Sequence, residues 1–243
     1  AAAALRSSQR EDAAVFAEHT AAFAELAVHS LDRSLSLGQL QLWRELLPRR
    51  PGDFNALFVA LAESPTFHAL WARRHHRAPF LLPAFAFVEG VLTLPEIATG
   101  LAAAAASGEA IPAALGILRD PSEKINSELP PVRCLAELER VLSFGTVFLN
   151  AASKHWRSLA EVCRVVASAL GFPANINVYV TAPGRSISTP VHTDHHDVLV
   201  FQAQGQKRWQ VFRPPPRRPG AAHPCHRGKG EDVIHESELG EPL

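Results

Sequence analysis

Residues 176–212 read INVYVTAPGRSISTPVHTDHHDVLVFQAQGQKRWQVF, and their apolar side chains recur with a period of two. Ile176, Val178 and Val180 alternate with Asn177, Tyr179 and Thr181, as in a strand with one face turned to a core. The same reading predicts a second strand over 197–203 and a third over 208–212, joined through Gln204, Gly205, Gln206 and Lys207. Residues 174–213 are thus expected to form a β-meander. Its first connection carries a cluster of histidines and acids, Pro190-Val191-His192-Thr193-Asp194-His195-His196-Asp197.

On an extended backbone, residues i and i+2 point to the same side, so His192 and Asp194 can aim an imidazole and a carboxylate at one point. Two histidines and one carboxylate on a single face leave three coordination positions open. That geometry suits non-haem iron(II), which must hold both a co-substrate and oxygen. The pattern is short, and a solvated turn also carries such clusters. Zinc held by His192, Asp194 and His196 is a further reading of the same residues. Otherwise His195 and His196 are expected at the surface, with Asp197 capping or orienting the turn.

Toward the N-terminus the period changes to 3.6. Over 152–170, Trp156, Leu159, Cys163, Val166 and Leu170 fall on one helical face, and Gly171 with Pro173 supplies the stop. Thr93 and Glu96 form a capping-box pattern ahead of Ile97, Leu101 and an alanine-rich tract. Ser64-Pro65 is an N-cap followed by proline at the first helical position, leading into Phe67, Leu70 and Trp71. Asp53 starts a helix with Phe54, Leu57, Phe58 and Leu61 on one face. Ser36 with Gln39 starts another, which Pro48 is expected to stop. The fold class is therefore α+β, with a helical region over 1–63.

The chain has 243 residues with 47% hydrophobic and 20% charged content, which is globular rather than disordered material. Its 24 basic and 24 acidic side chains cancel, so no whole-molecule field selects nucleic acid, an anionic membrane or an acidic substrate. Three cysteines at irregular spacings fit reduced thiols better than a disulfide framework, and no apolar run is long enough to span a bilayer. A soluble intracellular protein is expected. The one local charge bias is the loop 213–229, with Arg213, Arg217, Arg218, Arg227 and Lys229 and no acid. It reads either as a solvated insertion or as an RNA contact.

Taken together, Asn177-Val-Tyr179-Val-Thr-Ala-Pro-Gly184, His192-Thr-Asp194, Asp197-Val-Leu-Val-Phe-Gln202, Gly205, Lys207, Trp209 and Val211-Phe-Arg-Pro214 resemble one family. It is the Jumonji-C, cupin-like oxygenases of the ribosomal oxygenase type, which hydroxylate histidine or arginine in ribosomal proteins. Weaker similarity reaches back to Ser64 through Trp71-Ala-Arg-Arg74, Gly90-Val-Leu-Thr-Leu-Pro-Glu96 and Arg119-Asp120.

The resemblance implies an oxygenase domain over 64–243 built on a double-stranded β-helix, the cupin or jelly-roll core. It implies iron(II) held by His192 and Asp194, with no catalytic residue separate from the metal ligands. Lys207 would face the distal carboxylate of the co-substrate 2-oxoglutarate, and Asn177 and Tyr179 would line that pocket. The implied partner is a protein substrate, ribosomal in type, and a homodimer stays open. The expected compartment is the nucleus or nucleolus in a eukaryote and the cytoplasm in a bacterium. Lysine demethylation and a non-catalytic cupin-like binding module are the alternatives. The family's third ligand, a histidine on a later strand, would fall beyond Leu243, so the domain reads as incomplete at its C-terminus. Of the tail histidines His223, His226 and His235, none follows a strand-like run, and His235 is the best placed.

Overall fold

The computed structural model describes residues 37–72, 80–109, 111–118, 124–185, 187–194, 196–212, 228 and 234–240. Ser36, the Arg119-Asp120 turn, His195, His223, His226 and the cations of the 213–229 loop lie outside the described residues.

Local chemistry sets the helix starts. Helix α1 (Leu37–Leu46) runs into a 3-10 turn, Leu47–Arg49, that admits Pro48 in its first turn. The α-helix ends at Leu46, two residues before Pro48, as expected, and Pro48 fits the first turn of the 3-10 segment because a first-turn residue needs no backbone donor. Helix α2 (Phe54–Ala62) is capped by Asp53, whose carboxylate accepts from the Ala56 amide at 2.7 Å. Helix α3 (Pro65–Ala72) is capped by Ser64, whose Oγ accepts from the Phe67 amide at 3.0 Å and itself donates to Glu45. Thr66 Oγ1 also donates to Glu45, at 2.5 Å, so the α1 carboxylate sits on the positive end of α3. Helix α4 (Leu94–Ser107) carries the full capping box. The Glu96 amide donates to Thr93 Oγ1, and the Thr93 amide donates to Glu96 Oε2 at 2.7 Å.

Strands β1 (Ala113–Leu118), β2 (Lys124–Glu128), β3 (Thr146–Leu149) and β4 (Val178–Thr181) form one antiparallel sheet in the order β2-β1-β3-β4. Helices α5 (Leu135–Leu142) and α6 (Arg157–Leu170) flank β3 in sequence. Gly145 lets β3 lie against β1, because a Cβ there would stand 2.3 Å from the Gly116 carbonyl oxygen. Gly171 ends α6 in the left-handed region at φ 76°.

Two apolar clusters share α6. Leu159 joins Ile97, Leu101, Leu115, Leu138, Val147 and Leu149 on the sheet side. Val162, Val165 and Val166 join Leu42, Leu57, Phe58, Leu61 and Phe67 on the side of α1, α2 and α3. The early helices therefore pack directly on the helix that precedes β4.

Of the meander expected over 174–213, only β4 is a regular strand, and its ladder partner is β3 rather than a following hairpin strand. Residues 197–203 keep the side-chain alternation without the ladder. Leu199 and Phe201 pack into the second cluster, whereas Val198 and Val200 remain 59% and 51% exposed. Phe201 meets the rings of Phe54 and Phe58 edge-on at centroid distances of 5.3 and 6.1 Å. Over 208–212 only Phe212 makes an isolated bridge. Alternation reports which face of a segment is buried and carries no information about its hydrogen-bonding neighbour. No described helix is long and apolar enough to cross a membrane.

Candidate metal and co-substrate site

Strand β4 leads into the site. In the β3–β4 register Phe148 lies opposite Tyr179 and Thr146 opposite Thr181, so the sheet holds Tyr179 through a ring-edge contact of 5.0 Å and Thr181 through a hydroxyl pair at 3.1 Å. Just before the strand, Asn177 Oδ1 accepts from the Ala151 amide at 2.9 Å, fastening the turn where Ala151 adopts φ 53°. The carboxamide oxygen of Asn177 is thus committed to the backbone. Tyr179, 43% exposed, still presents one side to solvent.

After β4 the chain is tied to α5. The Arg185 guanidinium donates from Nη2 to the carbonyls of Leu142 and Ser143 at the α5 C-terminus, where a cation complements the helix dipole. The sequence reading did not single out Arg185, and its one signal was an arginine directly after the Pro183-Gly184 turn.

His192 and Asp194 then meet as their i, i+2 spacing predicts. His192 Nε2 and Asp194 Oδ2 are 3.6 Å apart, both side chains being partly buried. His192 Nδ1 lies 2.8 Å from the Pro190 carbonyl oxygen, which can only accept, so Nδ1 is the donor and the lone pair of the neutral ring falls on Nε2. A second-site hydrogen bond that fixes the tautomer in this way is the usual companion of a metal-ligating histidine. The spacing also fits. Two donors each about 2.1 Å from one divalent ion and subtending about 90–120° stand roughly 3.0–3.6 Å apart. The pair therefore fits two positions of a nitrogen and oxygen donor set.

Among the described residues no group of three or more His, Cys, Asp or Glu side chains converges, so His196 does not complete a zinc set with them. His235 instead offers its backbone amide to Glu238 Oε2 at 3.1 Å, at the start of a short 3-10 turn.

Lys207 comes to β4 from the other direction. Its Nζ donates to the Tyr179 carbonyl at 3.4 Å, which places Lys207 beside one of the two residues expected to share its pocket. Burial pushes the Lys207 ammonium below the ordinary lysine range, and among the described residues no carboxylate lies within ion-pair distance of it. Trp209, two residues on, is 53% exposed. A separate groove of about 520 Å³ runs between Glu89, Gly90 and Leu92 to Pro95, Leu135 and Glu139, and Gln202 to Gly205. None of His192, Asp194 or Lys207 lines it, so the concavity and the chemistry do not coincide here.

The segment holding this geometry matches the JmjC domain family model over residues 150–237, from just after β3 through α6, β4, His192, Asp194 and Lys207. The resemblance carried by the strand and HxD pattern is thereby upheld, and it is to the ribosomal oxygenase type. The chain is 30% identical over 98 residues to the bifunctional lysine-specific demethylase and histidyl-hydroxylase NO66 of Drosophila sechellia, across 40% of this chain and 14% of that protein. It is 29% identical over 85 residues to its counterpart of Drosophila yakuba, across 35% of this chain and 12% of that protein. The chain thus spans only a small part of the length of the curated relatives it matches.

Proposed function

We propose that this chain is part of an iron(II)- and 2-oxoglutarate-dependent dioxygenase that hydroxylates a protein side chain, a ribosomal histidine or arginine being the substrate class. The observation that carries the reading is the 3.6 Å approach of His192 Nε2 to Asp194 Oδ2, with the histidine tautomer set by the Pro190 carbonyl. In this reading the four-stranded sheet and the extended run 197–203 belong to a double-stranded β-helix within a domain over 64–243, preceded by a helical region over 1–63.

Iron(II) held there would supply the activation of dioxygen, one atom of which enters succinate as 2-oxoglutarate loses carbon dioxide while the other enters a substrate C–H bond. The chain's own residues bind and orient. His192 offers the lone pair of Nε2, Asp194 a carboxylate, and Lys207, beside the Tyr179 carbonyl, a half-buried positive charge for the far end of the dicarboxylate, with Tyr179 and Asn177 as the pocket residues of this reading. A charge-assisted contact in a partly dry site is stronger than the same contact in water, which favours Lys207 over a solvent-exposed cation for this task.

Demethylation of an N-methyl lysine is the second reading, favoured by the bifunctional naming of the Drosophila relatives. It differs in releasing formaldehyde. Full-length protein is expected to convert 2-oxoglutarate to succinate only with iron(II), and His192→Ala should abolish the conversion. Undiminished turnover in that variant would remove the central assignment.

A further inference from the structure

The basic loop 213–229 finds no task in the chemistry above, yet one of its residues touches the metal-binding segment. Gly228 adopts φ +77°, and a Cβ built on it would stand 2.2 Å from the Val191 carbonyl oxygen, 2.7 Å from His192 Cα and 2.9 Å from His192 Cβ. Real Cβ atoms do not approach other heavy atoms so closely, and two of the three obstacles are backbone. The backbone of residue 228 therefore lies flat on the residue that offers Nε2. Any side chain there must displace His192 or be displaced by it. A glycine is needed twice over, for the left-handed conformation and for the close approach.

We infer that Gly228 is a positioning residue for His192, its own backbone pressed against the HxD segment. The inference rests on the metal reading of His192 and Asp194. It goes further by assigning a role to a residue more than thirty positions away in sequence that carries no side chain. Its physical basis is that a ligand must be held within a fraction of an ångström of the productive geometry by its neighbours. A shift of the His192 backbone moves Nε2 relative to Asp194 Oδ2 and breaks the match to a single ion.

The test uses cobalt(II) as an oxygen-inert spectroscopic probe of the apo chain, titrated by visible absorption and by calorimetry. Gly228→Ala and Gly228→Asn should each weaken cobalt binding by about 10–100-fold, the range for losing an outer support of a metal ligand. Asparagine tolerates the left-handed region better than alanine does, so an equal loss in both variants assigns the effect to the collision and not to φ. Gly90→Ala is the matched control. Gly90 also has φ +77°, but nothing stands within 4 Å of its added Cβ, and its cobalt affinity should equal that of the unaltered chain.

A Gly228→Ala protein that binds cobalt normally, while His192→Ala does not, overturns this inference and leaves the metal reading standing. Equal binding by the unaltered chain and by His192→Ala overturns both. A measurement free of variants supports these. A nuclear Overhauser contact between the Gly228 and His192 α-protons is expected in the unaltered chain, and its absence overturns the packing on which the inference stands.

Discussion

Replacing Lys207 by alanine should weaken 2-oxoglutarate binding far more than metal binding. The ammonium is half-buried, is anchored on the Tyr179 carbonyl at 3.4 Å, and has no carboxylate partner among the described residues. A hydrogen bond to a charged group contributes about 1.5–3 kcal/mol, so losing it should raise the dissociation constant of the dicarboxylate by about 10–150-fold. Lys207→Arg keeps the charge and should recover part of the loss, whereas Lys207→Met keeps the apolar stem and should not. The pH dependence has a definite sign. Burial lowers the Lys207 pKa, so the charged form is lost as pH rises through that depressed value, below the usual lysine range. Affinity for the dicarboxylate should fall across that window, and binding in the window should take up a proton. Calorimetry in buffers of different ionisation enthalpy measures both the constant and the proton. If Lys207→Ala binds 2-oxoglutarate like the unaltered chain, or loses cobalt affinity instead, Lys207 does not face the co-substrate.

Two further outcomes test the scaffold. Glu45 is pushed up by burial, but hydrogen bonds from Ser64, Thr66 and Gln41 outweigh this and hold its carboxyl below the ordinary range. A depressed folded pKa contributes stability above the unfolded value that is lost as pH falls through the folded one. Urea midpoints should therefore drop on acidification more in the unaltered chain than in Glu45→Gln, and parallel drops would exclude Glu45 as the cause. Gly145→Ala, whose new Cβ would stand 2.3 Å from the Gly116 oxygen, should cost about 1–3 kcal/mol by forcing β1 and β3 apart. Gly52→Ala, with nothing within 4 Å, should be near neutral, and equal melting of the two would refute the steric account.

What could be read from the sequence, and what could not, divides along a physical line. Caps were legible at Asp53, Ser64, Thr93 and Gly171 because each is a short-range bargain between a side chain, or its absence, and backbone groups a few residues away. The approach of His192 to Asp194 was legible for the same reason, since i, i+2 geometry is local. The sheet was not. Strands β1, β2 and β3 lie in a stretch where no strand was expected, and β3 is buried at all four positions, so no alternation marks it. Residues 197–203 failed in the opposite sense, alternating without a ladder because Leu199 and Phe201 are drawn onto Phe54 and Phe58 of α2.

The same distinction explains why Arg185 and Gly228 went unseen while His192 and Asp194 did not. Arg185 acts through α5 carbonyls 42 and 43 positions earlier, and Gly228 acts by having no side chain against His192. Neither role has a signature in residue type alone. A metal site is specified twice, once by the donors, which chemistry makes recognisable in a single sequence, and once by the contacts that hold them. The second specification is written in tertiary distances. For the proposed site it falls on a glycine pressed against a histidine, and substitution there should act on the metal without touching a ligand.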